Sequence, residues 1–415
     1  MGRLYAFLSK YSTVAVIIFD ILVQLILIGK FLDNSVISSY APTAADAGDY
    51  TNRAELWKNQ GFVEAFDDAF RMPGYPSIIL LMSYVVPFAP NLAVRILQMF
   101  AVALSVGLIK IVLQKIVSLR ISLLGSVLYI LLPIWHFVPI LIAEALTSVI
   151  VVVIIWLLTF GHNLEFTKLL ILKISTFIAI AVYLKPNNFL LIFSVIGFIV
   201  FSKSSHPFRN TAKLFSITLL TLLPWIFFAS NSQPGFIGLT TTFGSNLYVG
   251  TGMHLDYNGD ILSQSAIRWK VDPKSNPSDV IDDETVGTPA ELDALYKHKA
   301  IEIWGKRPLN VLGFGIDKTL IAFGIKANSA PDHIFGIFSV LALFGSLILL
   351  RTPALRPWGS ATLFMMLGLA AQAFMFQADR RFVVPVFLPF ATVCLGIVLG
   401  NIPQINRRKP SDSVS

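Results

Sequence analysis

Residues 141–160 have the sequence LIAEALTSVIVVVIIWLLTF, an apolar run in which Glu144 is the only ionisable side chain. A helix of about 20 apolar residues is long enough to cross the hydrocarbon core of a bilayer. Similar apolar runs recur along the chain and together predict about ten membrane-spanning helices. The runs lie at residues 13–32, 91–114, 121–138, 141–160, 168–184, 188–201, 211–229, 332–350, 357–376 and 382–400.

The composition of the chain agrees with an integral membrane protein. Of its 415 residues, 55% are hydrophobic and 13% are charged, a balance that a soluble surface does not tolerate. The net charge of +8 does not indicate a nucleic-acid partner, because no polar segment interleaves a basic stripe with aromatic residues. The single cysteine, Cys394, excludes a disulfide within the chain.

The basic residues predict the orientation of the chain in the membrane. Short cytoplasmic segments retain Lys and Arg, whereas translocated segments lose them. With the amino terminus inside, the inner segments are basic and nearly all acidic residues fall outside. Both termini are therefore predicted to be cytoplasmic. The first run, residues 13–32, is interpreted as an anchor because it is too long for a typical signal peptide.

The predicted fold class is an all-α integral membrane protein with amphipathic helices in the first outer loop and one larger mixed polar segment outside. Short amphipathic helices are expected near residues 54–58 and 62–66, and a longer helix at 289–306, where Pro289 stands near the start. The predicted regions are a cytoplasmic amino terminus with the first span (1–32), an outer loop (33–90), spans two to seven (91–229), a non-cytoplasmic segment (230–331), spans eight to ten (332–400) and a basic cytoplasmic tail (401–415).

Two motifs in the first outer loop concentrate reactive groups. Asp46-Ala47-Gly48-Asp49-Tyr50 offers two carboxylates, and Arg71-Met72-Pro73-Gly74-Tyr75-Pro76 places an arginine before a rigid turn. A carboxylate just outside a membrane can act as general base on a hydroxyl, and an arginine can bind phosphate bidentately. If the first motif is helical, its two acids share a face. The structural alternative for the first motif is a solvated loop with a helix cap. The alternative for the second motif is a turn that simply ends a helix.

Charged residues at the outer ends of the spans are further candidates. Lys185 and the pair Arg380-Arg381 lie in outer turns, where they are expected to meet a lipid phosphate. Glu144 stands at the outer end of a span, and because a lone charge is expensive there, we expect one of these cations to be its partner. The alternative for the arginines is that they anchor the helices at the lipid headgroups.

In these motifs the sequence resembles the GT-C glycosyltransferases, particularly bacterial relatives of the protein O-mannosyltransferases and of the lipid A aminoarabinose transferase. The first-loop acids match the family's pattern, and the segment from Arg71 to Pro76 is similar to its R-P-P-G-Y-P, with Met72 replacing the first proline. Further segments that resemble family motifs are Ile142-Ala143-Glu144-Ala145-Leu146, Leu223-Pro224-Trp225, Gly244-Ser245-Asn246-Leu247-Tyr248 and Gln377-Ala378-Asp379-Arg380-Arg381-Phe382.

The resemblance implies an inverting enzyme in a bacterial cytoplasmic (inner) membrane that takes a sugar from a polyprenyl-phosphate carrier. The acceptor would be a lipid, a glycan or a protein outside the cytoplasm. Asp46 would be the general base, with Asp49 as the competing candidate. No cofactor or metal site is implied, although Asp46 and Asp49 could share a divalent cation. The residues expected to bind substrate are Arg71, Tyr75, Glu144, Lys185, Arg380 and Arg381.

Three other functions remain open at this stage. A polymerase or ligase of polyprenyl-linked glycans would rely on outer-loop arginines and needs no first-loop acids. A lipid or sugar transporter would place its ionisable residues at mid-membrane in broken helices related by inverted repeats. A non-catalytic assembly subunit would tolerate replacement of either first-loop acid.

Overall fold

The structure is a computed structural model that describes residues 2–32, 45–132, 137–161, 166–251, 287–326, 330–376 and 380–406. All regular secondary structure in these residues is helical, including a short 3-10 helix at Pro186–Leu190. The α-helices are α1 (Gly2–Leu32), α2 (Ala45–Gln60), α3 (Phe62–Phe66), α4 (Gly74–Val85), α5 (Pro90–Ile116), α6 (Leu119–Leu131), α7 (Glu144–Gly161), α8 (Lys168–Leu184), α9 (Leu191–Phe201), α10 (Pro207–Ser232), α11 (Phe243–Val249), α12 (Pro289–Lys306), α13 (Pro308–Ala322), α14 (Ala330–Leu350), α15 (Arg356–Met375) and α16 (Arg380–Asn406).

Each of the apolar runs coincides with a helix of the structure. Among the described residues, six helices are long and apolar enough to cross a membrane: α5, α7, α10, α14, α15 and α16. Shorter apolar helices occupy residues 11–26, 74–85, 119–131 and 186–201. The chain is therefore a multi-pass helical membrane protein, as the hydropathy pattern predicts.

Helix α6 is shorter than its apolar run. The run extends to residue 138, but the helix ends at Leu131 and Leu132 has extended backbone, with ψ of 156°. Leu132 precedes a proline in the sequence, and the ring of a proline disfavours helical backbone at the residue before it. The hydrophobicity of the run identified the helix, and the proline decided where it stops.

Small and hydroxylated residues mediate the packing of α9 along α15. The Ser194 hydroxyl donates to the Ala361 carbonyl at 2.8 Å, and the Ser360 hydroxyl donates to the Gly197 carbonyl at 2.9 Å. In a membrane the lipid tails are as apolar as leucine, so close packing and interhelical hydrogen bonds replace the hydrophobic effect as the force between helices. This contact brings the start of α9 beside the end of α15, next to the candidate site.

The loop between α1 and α5 packs over one end of α10. In the described part of this loop, Phe62 lies against Phe228 with ring centroids 4.9 Å apart, and Phe66 meets Trp225 at 6.1 Å. Such edge-to-face pairs add stability beyond the buried area. The expected amphipathic helices are present as α2 and α3, and the aromatic cluster fixes them against the membrane bundle.

The larger polar segment between α10 and α14 has mixed structure in its described part, as expected: α11, α12 and α13 are helices, whereas residues 233–242 form non-helical turns and bends. Helix α12 confirms the helix predicted at 289–306, whereas α11 and α13 were not anticipated. The buried ammonium of Lys318 on α13 donates to the carbonyls of Gly250 at 2.8 Å and Phe376 at 2.6 Å. It therefore ties the ends of α11 and α15 together. Residues 252–286 lie outside the described residues.

Candidate active site

Two aspartates and an arginine form the centre of the site. Helix α2 begins at Ala45, so Asp46 and Asp49 lie on one face near its amino-terminal end, where the helix dipole favours negative charge. Arg71 bridges them: its Nη2 donates to Asp46 Oδ1 at 2.5 Å and its Nε donates to Asp49 Oδ2 at 2.7 Å. The expectation that the two acids share a helix face is confirmed.

A second arginine reaches the same carboxylate from the other end of the chain. Arg381, near the start of α16, donates from Nη1 to Asp46 Oδ2 at 2.7 Å. Both oxygens of Asp46 therefore accept a charge-assisted hydrogen bond from a guanidinium. Arg380 begins α16, but its side chain lies outside the described residues.

The surrounding cations keep Asp46 ionised. Burial by itself raises the pKa of this carboxyl, because charge is poorly solvated in a low dielectric. The positive charges of Arg71, Arg381 and Lys185 outweigh burial, so the pKa of Asp46 lies below its ordinary value of 3.8. Asp46 is a carboxylate at neutral pH.

A buried ion pair lies beside this centre. Glu144, the first residue of α7, accepts a hydrogen bond from the ammonium of Lys185, which follows the last residue of α8. The Lys185 Nζ also lies 4.0 Å from the ring centroid of Phe382, a cation–π contact. The partner that the sequence left open for Glu144 is thus Lys185.

Tyr75 lies behind the site. Its side chain is fully buried, its hydroxyl donates to Gln98 Oε1 at 2.6 Å, and its ring packs 5.0 Å from that of Tyr50. Gly74 beside it allows α4 to approach the end of α8, because an added Cβ would lie 2.4 Å from the Tyr183 carbonyl oxygen. The turn from Arg71 to Pro76 therefore fits tightly against the bundle.

A polar cavity of about 510 Å³ opens at these residues. Four of the side chains singled out in the sequence line it: Asp46, Arg71, Lys185 and Arg381. Asp49, Tyr75 and Glu144 are not among its described lining residues and stand behind it. Further polar lining comes from the hydroxyl, amide and carboxyl residues Asn187, Thr240, Thr241, Thr242, Ser245, Asn246 and Asp293.

An apolar cavity of about 1300 Å³ adjoins the polar cavity. Its walls are mainly aromatic and aliphatic, with Phe189, Phe193, Phe236, Phe243, Phe364 and Leu367 among them. The two cavities share lining residues, which are Pro186, Asn187, Thr240, Thr242, Asn246, Asp293 and Phe382. A charged compartment and a long apolar compartment thus meet at one boundary.

Sequence reasoning missed two side chains of the site. Asp293 on α12 accepts hydrogen bonds from the Gly244 and Ser245 amides at 2.6 and 3.4 Å. Burial raises the pKa of Asp293 above its ordinary value despite these bonds. Arg53 donates to Asp49 at 3.1 Å. Its position four residues after Asp49, on the same helix face, was a detectable signal, whereas nothing in the sequence distinguishes Asp293.

The two aspartates share an arginine. Arg71 stands between the carboxylates of Asp46 and Asp49, to which it donates at 2.5 and 2.7 Å. Across the described residues, no group of three or more His, Cys, Asp or Glu side chains is arranged to hold a metal ion.

The chain has the fold of the GT-C glycosyltransferases, so the resemblance inferred from its motifs is confirmed at the level of fold. It is similar to the oligosaccharyltransferase of Archaeoglobus fulgidus in its apo form, with a TM-score of 0.54 and 12% identity over 98% of this chain and 53% of that one. The same enzyme, AglB, in complex with an inhibitory peptide and a dolichol-phosphate gives a TM-score of 0.55 with 11% identity over the same shares of the chains.

A weaker likeness links the chain to ArnT from Cupriavidus metallidurans bound to undecaprenyl phosphate. Here the TM-score is 0.43 with 12% identity, over 97% of this chain and 81% of that one. The chain spans about half the length of AglB. Comparison with protein-family models gives no match, and comparison with curated proteins gives none either.

Proposed function

We propose that the protein is an inverting glycosyltransferase that moves a sugar from a polyprenyl-phosphate carrier to an acceptor, with Asp46 as the general base. One observation carries this proposal: a carboxylate flanked by Arg71, Lys185 and Arg381 lines a polar cavity that adjoins a much larger apolar one. A lipid-phosphate sugar has the same division into a charged head and a long apolar chain.

The cations suit the phosphate of the donor. Guanidinium groups bind phosphate in a bidentate manner. Arg71 has five N–H donors, and its hydrogen bonds to the two aspartates use one on Nε and one on Nη2. Lys185 adds a point charge at the edge of the same cavity. These groups would stabilise the negative charge that develops on the phosphate as it leaves the sugar.

The apolar cavity suits the polyprenyl chain, and the hydroxyl and amide wall suits the sugar. Ligand sites commonly combine apolar walls with a few placed polar groups that fix orientation. Thr240, Thr242 and Asn246 line both cavities, so they lie where the prenyl chain would meet the phosphate, whereas Thr241 and Ser245 line only the polar cavity, where the sugar would lie. AglB, which has this fold, binds a dolichol-phosphate, and this supports the same class of carrier here.

Asp46 is proposed as the base because it faces the cavity while Asp49 does not. In an inverting transfer the base takes the proton of the acceptor hydroxyl on the face opposite the leaving group. A carboxylate of low pKa serves when the proton moves late, after positive charge has developed on the sugar. Asp49 is proposed to act on Arg71 rather than on the acceptor.

The reaction is proposed to occur on the non-cytoplasmic face of a bacterial cytoplasmic membrane, with both termini cytoplasmic. The asymmetry of Lys and Arg between short connecting segments supports this orientation. The acceptor is proposed to be a lipid, glycan or protein that is available outside the cytoplasm.

The test is transfer of labelled sugar from a panel of polyprenyl-phosphate sugars by purified protein in lipid vesicles. Asp46→Asn should lower the rate at least about a hundredfold, the loss expected on removing a general base. Asp49→Asn should retain measurable transfer, and Glu55→Gln, an exposed acid on the same helix, should be unaffected.

Each contrary result has a distinct meaning. Full activity of Asp46→Asn would exclude Asp46 as the base. Loss of transfer with Asp49→Asn alone would assign that role to Asp49. Movement of the intact lipid-linked sugar across the bilayer, without transfer, would favour the transporter.

A further inference from the structure

Arg53 makes four hydrogen bonds beside the site, although it is not among the described residues that line either cavity. Its Nε donates to Asp49 at 3.1 Å, and its two terminal nitrogens donate to Asp68 at 2.9 and 2.7 Å. A further bond reaches the Ala65 carbonyl at 2.8 Å. The Arg53 side chain is only 8% exposed, whereas the side chains of Asp49 and Asp68 are 26% and 33% exposed.

On one side, Arg53 determines where Asp49 stands. Oδ1 of Asp49 accepts from Arg53 and Oδ2 accepts from Arg71, so the carboxylate is held between two guanidiniums. Arg71 in turn holds Asp46. Arg53, Asp49, Arg71 and Asp46 therefore form a chain in which each side chain is paired with one of opposite charge. A displacement of the Arg53 side chain is expected to move Asp49, and through it Arg71 and Asp46.

On the other side, Arg53 holds the turn formed by residues 67–69. Thr241 binds this turn twice: its hydroxyl donates to the Asp68 carbonyl at 2.9 Å and its amide donates to the Ala69 carbonyl at 3.1 Å. Ala69 has φ of 50°, a left-handed conformation that a non-glycine residue holds only when its surroundings impose it. The bond of Arg53 to the Asp68 carboxylate is one of those constraints.

The same turn is fixed from a third direction. The Gln233 side-chain amide donates to the Asp67 carbonyl at 2.8 Å, and its oxygen accepts from the Ala290 amide at 3.3 Å. The turn thus joins the first outer loop to the segment that bears Thr240–Thr242 and to the start of α12. Those elements contribute polar lining to the same cavity as Asp46.

We propose that Arg53 is a positioning residue that couples the two walls of the cavity: it orients Arg71 and Asp46 through Asp49, and it fixes the Thr241 wall through Asp68. This inference rests on the proposed function for its kinetic consequence but not for its structural one. Arg53 keeps the base and the sugar-facing wall in register, and a transfer reaction is sensitive to small errors in that alignment.

The structural consequence is tested by hydrogen–deuterium exchange, which does not require activity. Arg53→Met should accelerate exchange of the Thr241 amide, because the turn that accepts its hydrogen bond is released. Lys58→Met is the matched control, since Lys58 is an exposed cation on the same helix that takes no part in these contacts. Unchanged exchange at Thr241 in folded Arg53→Met protein would overturn the proposal.

The kinetic consequence is tested in the vesicle assay with a double-mutant cycle. Arg53→Met should lower kcat about tenfold, with donor KM changed less than about threefold, because Lys185 and Arg381 still meet the phosphate. Arg53→Met combined with Asp49→Asn should be no slower than Arg53→Met alone, since both act on Arg71. Arg53→Lys should have a kcat between those of the wild type and Arg53→Met, because an ammonium keeps the charge but lacks the planar, two-pronged set of N–H donors of a guanidinium.

The outcomes separate the two proposals. No transfer by the wild-type protein with any donor would count against the proposed function, and the exchange result would still decide the role of Arg53. With an active wild type, additive effects of the two substitutions on kcat would show that Arg53 does not act through Asp49, which would overturn the positioning role.

Discussion

The Arg381 side chain meets Asp46 across 335 positions of sequence, with Nη1 2.7 Å from Oδ2. This contact joins the start of α16 to the start of α2, which lies in the loop between α1 and α5. It brings a cation from one end of the chain and an acid from the other into one cavity.

Replacing Arg381 should weaken binding of the lipid-phosphate donor. Arg381→Gln removes one of three cations lining the polar cavity, so donor KM should rise about tenfold, the scale of one charge-assisted contact. The measurement is the dependence of transfer on donor concentration in vesicles. Lys326→Gln, which removes an exposed cation paired with Asp317, is the matched control and should leave KM unchanged.

The pH dependence of transfer should place the acidic limb below pH 3.8, the ordinary pKa of an aspartate. Burial raises the pKa of Asp46, but the adjacent Arg71, Arg381 and Lys185 lower it by more than burial raises it, so Asp46, the proposed base, stays ionised down to that pH. Arg381→Gln removes one of these charges and should move the limb upward. A limb that stays in place in the variant would show that another group controls it.

The same shift has a consequence for stability. Because the pKa of Asp46 is lower in the folded protein than in the unfolded chain, protonation favours unfolding. The stabilising contribution of Asp46 should be complete above pH 3.8 and should be lost as pH falls through its folded-state value. Thermal unfolding followed against pH should show a smaller acid loss in Asp46→Asn than in the wild type.

Breaking the ion pair between Glu144 and Lys185 should destabilise the protein. Their side chains are 3% and 10% exposed, and a buried charge left without its partner costs about 3–5 kcal/mol. Lys185→Met should therefore lower the melting temperature strongly, and Lys185→Met combined with Glu144→Gln should recover much of it. Transfer should stay low in the double variant, because the cation at the cavity is still missing.

Gly74→Ala should displace the turn that bears Arg71. The added Cβ would lie 2.4 Å from the Tyr183 carbonyl oxygen, and both backbones would have to move. Overpacking of this kind costs about 1–3 kcal/mol, and transfer should fall with stability. Gly305→Ala is the matched control, since no atom lies within 4 Å of its added Cβ and alanine favours a helix. It should be neutral or slightly stabilising.

The sequence by itself determined the membrane class and the positions of the helices formed by the ten predicted apolar runs, although the shorter apolar helix α4 was not among them. It also singled out four charged side chains that line the polar cavity. A membrane helix can be recognised from its own segment of sequence, because the segment either has enough apolar length to cross the bilayer or it does not. The short helix α6 shows the limit of the pattern, since the end of the helix depended on a proline rather than on hydrophobicity. The acids of α2 were identifiable because their spacing places them on one face.

Only the tertiary structure decided which of those residues meet. No periodicity relates Arg381 to Asp46 or Lys185 to Glu144, and several cations were equal candidates for each acid. The pairing follows from how the helices pack. Small residues such as Gly74 and Gly197 allow close approaches between helices, and the hydropathy of the sequence does not reveal these approaches. The distinction between Asp46, which faces the cavity, and Asp49, which is held behind it by Arg53, arises in the same way. Side-chain direction on a packed helix depends on its neighbours, and those neighbours come from distant parts of the chain.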